Sequence, residues 1–390
     1  MKINKKLITY LVSFAAFFGP FTQSIYTPLL PQVKQQFQAS EYLVNLTISI
    51  FTVVMALMQV VYGPLVDNVG RKKMLLPGVL LYVLASVGAA YATTMPVLLA
   101  LRVLQAGGIA VGSVVATTVI GDLFGGAERG RAMGTFQMLV ALGPAVGPVI
   151  GGFVGQYFGL RGVFWVLASA GLLLLLLSWV YVVETRPEAP GRRFSLRDFG
   201  AILAQPVGRA VIALGFFQYF TFYTFLVFLP ALLVAYYQLT PSQNGLAFLP
   251  LSLGVVLGSL VGGRVQERFS ARQFLVVAAS LNVGATLAFA AAVPVGLPVL
   301  LACMALFGLC LGLSLPVQTT LLANDFPQNR ATAMGLYNFF RFLGMAAGPM
   351  VGTFFYHLGN RLEFVVAAAV FAVAVLFAAR QFRQPTLSAT

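Results

Sequence analysis

Residues 134–152 read GTFQMLVALGPAVGPVIGG, and residues 335–352 read GLYNFFRFLGMAAGPMVG. The two stretches share their glycine and proline spacing at a constant offset of 201 residues. The shared positions are Gly134, Gly143, Gly147, Pro148 and Gly151 in the first stretch, and Gly335, Gly344, Gly348, Pro349 and Gly352 in the second. A match of this length at one offset indicates an internal repeat, so we predict two related halves. The repeated element is predicted to be a helix in which glycine leaves the backbone uncovered by side chains every one or two turns.

The composition of the chain favours a lipid environment. Of its 390 residues, 59% are hydrophobic and 9% are charged, whereas about a quarter of the residues of a soluble protein are charged. Runs of about 20 apolar residues are long enough to cross a bilayer. Twelve such runs begin near Leu7, Tyr42, Met74, Pro96, Arg131, Gly162, Gly208, Gln243, Gln273, Leu297, Ala331 and Arg361. We therefore predict an all-α membrane protein with twelve transmembrane helices.

The basic residues are distributed unevenly between the two sides of this topology. Nineteen of the 24 Lys and Arg residues fall in segments on the same side as both termini. An excess of Lys and Arg in short loops marks the cytoplasmic side. Both termini are therefore predicted to be cytoplasmic, in a cell (inner) membrane. The net charge of +14 then reflects topology, and we expect no nucleic-acid partner.

A long polar stretch interrupts the apolar runs near the middle of the chain. It extends from Glu184 to about Arg209 and contains Pro187, Pro190 and several arginines. Such a composition is typical of a linker between domains. We predict a six-helix bundle at 1–183, a cytoplasmic linker at 184–207 and a second six-helix bundle at 208–390.

Three motifs resemble those of one family of membrane proteins. Segment 63–73, GPLVDNVGRKK, resembles the signature between the second and third helices of the major facilitator superfamily of secondary transporters. Segment 101–112, LRVLQAGGIAVG, is similar to that family's fourth-helix signature. The glycine pattern of 134–152 resembles the signature of its twelve-helix drug:proton antiporter branch. The resemblance implies two pseudo-symmetric six-helix bundles around a central cavity, working by alternating access.

The resemblance also implies a set of gating residues. In this family the fifth and eleventh helices pack against the opposite half, where a glycine seam would seal one side of the cavity. Asp67 and Arg71 would form a charged latch at a helix N-terminus of the opposite half. The seam residues are Gly143, Gly147, Pro148, Gly344, Gly348 and Pro349. The alternatives are ordinary close packing for the glycines and a solvated turn for the two charged residues.

Arg102 and Arg341 are the only formal charges inside the predicted helices. An arginine in a membrane segment costs at least about 2.5 kcal/mol, so it normally faces a cavity or a partner. Polar and aromatic residues at helical spacing surround both positions. The candidate substrate-binding residues are Gln23, Tyr26, Arg102, Gln105, Gln218, Tyr219, Tyr223, Asn338 and Arg341. The alternative for the aromatic residues is contact with lipid or with neighbouring helices.

The carboxylates lie away from the middle of every predicted span. All ten Asp and Glu residues fall in loops or at helix ends. Many proton-coupled exporters of the resembled family instead carry an acid embedded in a helix. Glu41, Asp122 and Asp325 therefore remain as candidates for proton coupling.

The sequence contains no phosphate-binding Walker loop, no cluster with metal-ligand spacing and no nucleophile beside a base. We therefore expect no enzymatic activity, no cofactor and no metal. The resemblance implies a monomeric secondary active transporter that exports amphipathic small molecules, as multidrug efflux proteins do, in exchange for protons. Two embedded arginines without an embedded acid leave a dedicated exporter or facilitator of an organic anion or zwitterion as an alternative. A membrane receptor or scaffold without transport is a second alternative.

Overall fold

The computed structural model describes residues 5–124, 126–186, 196–265, 270–326, 330–356, 358–359 and 361–383, whose regular secondary structure is helical. Residues 187–195 of the predicted linker lie outside these ranges. The first helices are α1 (Lys5–Ser24), α2 (Leu30–Gln36), α3 (Glu41–Val69), α4 (Arg71–Ala90), α5 (Met95–Leu123) and α6 (Gly126–Tyr181). They are followed by α7 (Leu196–Ala204), α8 (Pro206–Tyr237), α9 (Pro241–Ala247), α10 (Leu249–Val265), α11 (Ala271–Ala292), α12 (Leu297–Asp325), α13 (Arg330–Tyr356) and α14 (Leu362–Arg383).

Ten segments of the described chain are long and apolar enough to cross a membrane. One of them, Met138–Tyr181, contains two helices, because Gly159 breaks α6 with a left-handed φ of 63°. Helix α13 adds a further 27 residues, or roughly 40 Å at a rise of about 1.5 Å per residue. The twelve predicted spans thus correspond to helices of membrane length. The predicted all-α membrane fold is confirmed.

The described residues form two compact units. Unit 1 comprises Met1–Phe194 with Leu239–Leu246, and unit 2 comprises Ser195–Gln238 with Ala247–Thr390. In unit 1, α6 packs against α1 and α4, and α5 packs against α1, α3 and α4. In unit 2, α13 and α14 pack against α8, and α12 packs against α10 and α11. The pair α1 with α6 is thus repeated as α8 with α13, which gives the sequence repeat its counterpart in the packing of each unit.

Apolar side chains cover both the interior and the outer face of these helices. In unit 2, the ring of Phe225 is buried and lies 4.5 Å from that of Phe289 and 4.3 Å from that of Phe307, between centroids. Large side chains on the outer faces remain exposed, among them Trp179 at 64% and Val373 at 65%. Large exposed apolar surfaces of this kind are stable in lipid and not in water.

Local signals set several helix boundaries. The Ser40 hydroxyl accepts a hydrogen bond from the Leu43 backbone N at 3.3 Å and caps the start of α3, as N-cap serines commonly do. Gly70 separates α3 from α4 with a φ of 126°, a conformation that favours glycine. Pro206 stands in the first turn of α8, where its missing N–H costs no helical hydrogen bond.

Candidate functional site

The repeated glycines lie against the first long helix of their own unit. A Cβ placed on Gly147 of α6 would overlap Ser24 Oγ and lie 2.9 Å from Ile25 N, both in the α1 region. A Cβ placed on Gly348 of α13 would lie 3.1 Å from Thr224 Oγ1 on α8. Because small residues allow helix backbones to approach closely, the two copies of the motif hold equivalent helix pairs together.

The other two seam glycines make the same approach. A Cβ on Gly143 would lie 2.9 Å from Phe21 N of α1, and one on Gly344 would overlap Phe216 O of α8. A helix of the same unit therefore covers the Cβ position of each of these glycines, Gly143, Gly147, Gly344 and Gly348. Pro148 and Pro349 lie inside the same two helices, and a gating role for all six residues stays a prediction.

A second small-residue contact lies on a different face of α6. A Cβ on Gly152 would lie 3.1 Å from the Cα of Gly245 in α9. One turn further along α6, Gln156 Oε1 accepts hydrogen bonds from the Ser242 backbone N at 3.3 Å and from the Ser242 hydroxyl. The segment Leu239–Leu246 is thereby attached to α6 within unit 1. Neither glycine is one of the repeated positions, so the glycine repeat by itself does not identify this contact.

Arg71 is the centre of an ion-pair cluster between α3, α4 and α5. Its side chain is 6% exposed, and its Nε lies 3.0 Å from Asp122 Oδ2. Its Nη2 lies 3.4 Å from Asp67 Oδ1, a carboxylate that keeps 48% of its side chain exposed. Thr185 Oγ1 donates to the same oxygen of Asp122 at 2.8 Å. Asp67 and Arg71 are therefore in contact, and their role as a latch stays a prediction.

Glu184 caps the helix that begins at Arg71. Its Oε1 accepts from the backbone N of Arg71 at 2.8 Å and from that of Arg186 at 3.2 Å. Burial alone would raise the pKa of the Glu184 carboxyl, but backbone donors including Arg71 and Lys73 outweigh it and lower this pKa. A Cβ on Gly70 would lie 2.5 Å from Glu184 Oε2. The glycine thus leaves room for a carboxylate that sequence reasoning assigned only to the linker.

The three candidates for proton coupling all take part in ion pairs. Glu41 Oε1 lies 2.6 Å from Lys34 Nζ. Asp122 contacts Arg71, as described above, and Asp325 Oδ2 lies 3.2 Å from Arg272 Nη2 in the repeated position of unit 2. Proton coupling at any of these carboxylates would require its ion pair to open. That role stays a prediction for Glu41, Asp122 and Asp325.

The first embedded arginine is enclosed within unit 1. Arg102 is fully buried, with its guanidinium carbon 4.4 Å from the ring centroid of Phe51 and 5.1 Å from that of Tyr26. Its Nη1 donates to Gln105 Oε1 at 3.2 Å, and its Nε donates to the backbone oxygen of Thr47 at 3.4 Å. Two aromatic faces and several oxygens therefore surround the charge.

The two candidate glutamines of unit 1 bond to buried hydroxyl groups. Gln105 Nε2 donates to Ser86 Oγ at 2.8 Å, and Gln23 Nε2 donates to Thr52 Oγ1. The sequence analysis did not identify Ser86 or Thr52, since small hydroxyl residues are common in membrane helices and carry no positional signal. The structure brings Tyr26, Arg102 and Gln105 together, and it places Gln23 beside α3.

The second embedded arginine has a more open setting in unit 2. The guanidinium carbon of Arg341 lies 4.0 Å from the ring centroid of Tyr219 and 5.2 Å from that of Tyr337. Its Nη1 donates to Asn338 Oδ1 at 3.1 Å. Its Nε is buried and has no hydrogen-bond partner among the described residues, although Arg341 as a whole stays partly exposed. Tyr219, Asn338 and Arg341 thus form one group.

A chain of buried hydrogen bonds holds the neighbouring tyrosine. The Tyr337 hydroxyl donates to Gln318 Oε1 at 2.7 Å, and Gln318 Nε2 donates to Gln218 Oε1 at 2.6 Å. Gln218 Nε2 donates in turn to Ser314 Oγ at 2.5 Å. Gln218 therefore belongs to a network between α8, α12 and α13, which sequence reasoning missed because its partners are distant in the chain.

Tyr223 lies one turn beyond Tyr219 on α8. It is 1% exposed, and its ring packs edge to face against Phe222 at 5.6 Å between centroids. This packing places Tyr223 in the interior of unit 2. Its assignment to substrate binding stays a prediction.

The two arginines share one electrostatic property. Among the described residues, no carboxylate oxygen lies within 4.0 Å of either Arg102 or Arg341. Buried charges are normally paired, because an isolated one is costly in a low-dielectric environment. Each unit therefore holds one embedded cation, stabilised by aromatic rings and neutral oxygens.

Comparison with known families agrees with this arrangement. The family model described as Major Facilitator Superfamily matches residues 12–214 and again residues 211–389. The chain belongs to the Major Facilitator Superfamily. This membership confirms the resemblance found in the motifs, and the two matches follow the internal repeat of this superfamily member.

Curated relatives of this superfamily member include a named exporter and a named multidrug transporter. It is 37% identical over 187 residues to "Citrate exporter 1" of Aspergillus niger, over 48% of this chain and 36% of that protein. It is 29% identical over 187 residues to "Multidrug transporter QDR2" of Candida glabrata, over 48% of this chain and 32% of that protein. The chain thus spans about a third of the length of these curated relatives.

Solved structures of the superfamily share the fold over the whole chain. A bacterial homologue of the human lysosomal transporter Spinster, in an inward-facing and unoccupied conformation, matches with a TM-score of 0.83 and 17% identity. The match covers 100% of both chains. At this identity the likeness establishes the fold alone.

Proposed function

We propose that this superfamily member is a secondary active transporter that exports amphipathic small molecules by alternating access, in exchange for protons. The names of the relatives, which include a citrate exporter and a multidrug transporter, support export of small molecules. The proposal places a monomer in the cell inner membrane, and the distribution of basic residues supports both termini in the cytoplasm.

The aromatic surroundings of the partly exposed embedded arginine carry this proposal. The Arg341 guanidinium lies beside two aromatic rings, those of Tyr219 and Tyr337. Apolar walls with a few fixed polar groups are typical of sites for small organic molecules. Such groups inside apolar helices recognise molecules with both apolar and polar parts.

A flux assay tests the proposal. The purified chain is reconstituted into proteoliposomes with an imposed pH gradient, and uptake of a cationic dye, a neutral dye and an aromatic carboxylate is compared with that of empty liposomes. We expect gradient-driven uptake of at least one probe, abolished by a protonophore. Absence of flux for all probes would contradict transport, and flux unaffected by the protonophore would contradict proton exchange.

The alternative is a dedicated exporter of an organic anion or zwitterion. It is supported by the lack of a carboxylate within 4.0 Å of either embedded arginine among the described residues. The similarity to a citrate exporter supports the same alternative. Transport restricted to the anionic probe in the flux assay would favour this narrower function.

A further inference from the structure

We propose that Arg341 binds a single carboxylate of the transported molecule, whereas Arg102 is a structural cation that contacts no substrate. The transported molecule is therefore an amphipathic organic anion with an apolar, flat body beside its carboxylate. This inference rests on the proposed transport function and specifies its substrate class.

The charge of Arg341 has no acidic partner among the described residues. No carboxylate of the described residues lies within 4.0 Å of its guanidinium. The described contacts of the guanidinium are with neutral groups, including the ring faces of Tyr219 and Tyr337 and the Asn338 amide oxygen. An embedded arginine needs a partner or water, so an anionic ligand would complete the electrostatics of this group.

Part of the Arg341 guanidinium remains available to a ligand. Asn338 accepts from Nη1, and the Tyr219 ring lies along the guanidinium at 4.0 Å. These contacts fix the plane of the group but leave Nε without a hydrogen bond. A guanidinium edge binds a carboxylate through two parallel hydrogen bonds. The unused Nε lies on such an edge, so the group is oriented for this form of recognition.

The two arginines differ in how far a ligand can reach them. Arg102 is fully buried, so no ligand reaches it without opening of unit 1. Arg341 and Asn338 each keep part of their surface exposed. The neighbouring Tyr337 is held in place by its hydrogen bond to Gln318. Its ring also packs closely against Gly215, where an added Cβ would lie 2.5 Å from the ring. Arg341 is therefore the more accessible of the two arginines, and a carboxylate would reach its buried Nε once the neighbouring side chains shift.

Aromatic side chains beside Arg341 would contact the apolar body of the ligand. Phe216 lies on α8 three residues before Tyr219, packs against Phe217 at 4.9 Å between centroids, and stays partly exposed. Residues three apart share a helix face, so aromatic surface lies beside the tyrosine that stacks on Arg341. One cation next to aromatic surface matches one carboxylate on a flat apolar body.

A binding experiment with matched probes tests this assignment on the full chain in detergent. The probes are 2-naphthoate and 2-naphthamide, which share size and shape and differ in charge. We expect wild type to bind the carboxylate at least tenfold more tightly than the amide. Arg341→Gln should abolish this ratio, Arg341→Lys should retain part of it, and the exposed control Arg380→Gln should leave it unchanged. An unchanged ratio in Arg341→Gln would overturn the proposal.

A second variant covers the case in which Arg341→Gln does not fold. In Asn338→Asp the aspartate side chain has nearly the same shape as asparagine and places a carboxylate beside Arg341 Nη1. This variant should therefore lower naphthoate binding to the level of naphthamide. Undiminished naphthoate binding in this variant would overturn the site. Carboxylate preference in wild type without flux in proteoliposomes would instead reject transport and leave the binding site established.

Discussion

Single residues of the same type acquire different roles from their surroundings. Arg102 and Arg341 are both arginines inside apolar helices, but the contacts of Arg102 reach backbone oxygens of two other segments, Thr22 and Thr47, at 3.4 Å each. Arg341 instead contacts a partly exposed asparagine on its own helix. The first arrangement joins segments of unit 1, and the second presents a charge to a ligand.

Arg102→Lys should therefore destabilise unit 1 although it keeps the charge. Lysine cannot hold several oxygens in one plane and stack on Phe51 at the same time. We expect a loss of about 1.5–3 kcal/mol in the free energy of unfolding, the range for hydrogen bonds to charged groups. Thermal unfolding in detergent measures it, with Arg380→Lys as the matched control. Equal unfolding temperatures for Arg102→Lys and wild type would refute the structural role.

The contribution of Glu184 to the stability of the folded protein should depend on pH. Its pKa is lowered in the folded protein, so its stabilising effect is present above the ordinary value of 4.5 and is lost as the pH falls through the lower folded value. Because Glu184 is solvent-exposed, Glu184→Gln should cost less than about 1 kcal/mol at pH 7. The difference from wild type should shrink below pH 4.5.

The comparison uses thermal unfolding from pH 7 down to pH 3.5. Glu128→Gln, an exposed carboxylate in the first turn of α6, serves as the control. A difference between wild type and Glu184→Gln that stays constant over the whole range would contradict the proposed cap.

At the scale of helices, the glycine repeat determines how closely two pairs of helices approach. The same backbone contact joins α6 to α1 and α13 to α8. In lipid there is little hydrophobic force between helices, so close packing carries much of their association. The motif therefore acts first as a packing element within each unit.

Gly147→Leu and Gly348→Leu should each separate their helix pair and abolish transport. Overpacking of a tight contact costs about 1–3 kcal/mol. Gly335 offers a control within the same pattern, because nothing lies within 4 Å of a Cβ added there. We expect Gly335→Leu to keep wild-type unfolding temperature and flux. Similar effects of all three substitutions would rule out the packing explanation.

At the scale of the whole molecule, the segment Leu239–Leu246 is notable. It lies between α8 and α10 of unit 2 along the chain but packs within unit 1. Its contacts with α6 are the approach of Gly245 to Gly152 and the hydrogen bonds of Ser242 to Gln156. Small and polar contacts of this kind separate at lower cost than a large apolar interface. If the proposed alternating access operates, we expect this contact to form and break during it.

Cross-linking Gln156→Cys to Ser242→Cys should therefore stop transport. In a background without Cys303 and Cys310, we expect a short thiol cross-linker to join the two positions and flux to fall at least tenfold. A cleavable linker should restore flux on reduction, and the two single-cysteine variants should stay active throughout. Normal flux in the cross-linked protein would show that this contact stays closed during the transport cycle.

Much of the fold follows from the sequence alone. The apolar runs determine the helices, because a backbone in lipid must satisfy its hydrogen bonds internally. The repeat from Gly134 and from Gly335 indicates two related halves, and the segments around Asp67 and Arg102 indicate the superfamily. The sequence also identifies both embedded arginines, since a charge inside an apolar run is conspicuous.

Only the tertiary structure decides which neighbours these residues have. The seam of Gly147 packs within its own unit, Glu184 caps α4, and Arg102 is fully buried whereas Arg341 stays partly exposed. The physical reason is that lipid and protein interior are both apolar. Hydrophobic periodicity therefore does not distinguish the buried face of a membrane helix from its lipid face, and partners distant in the chain become visible only when the helices are packed.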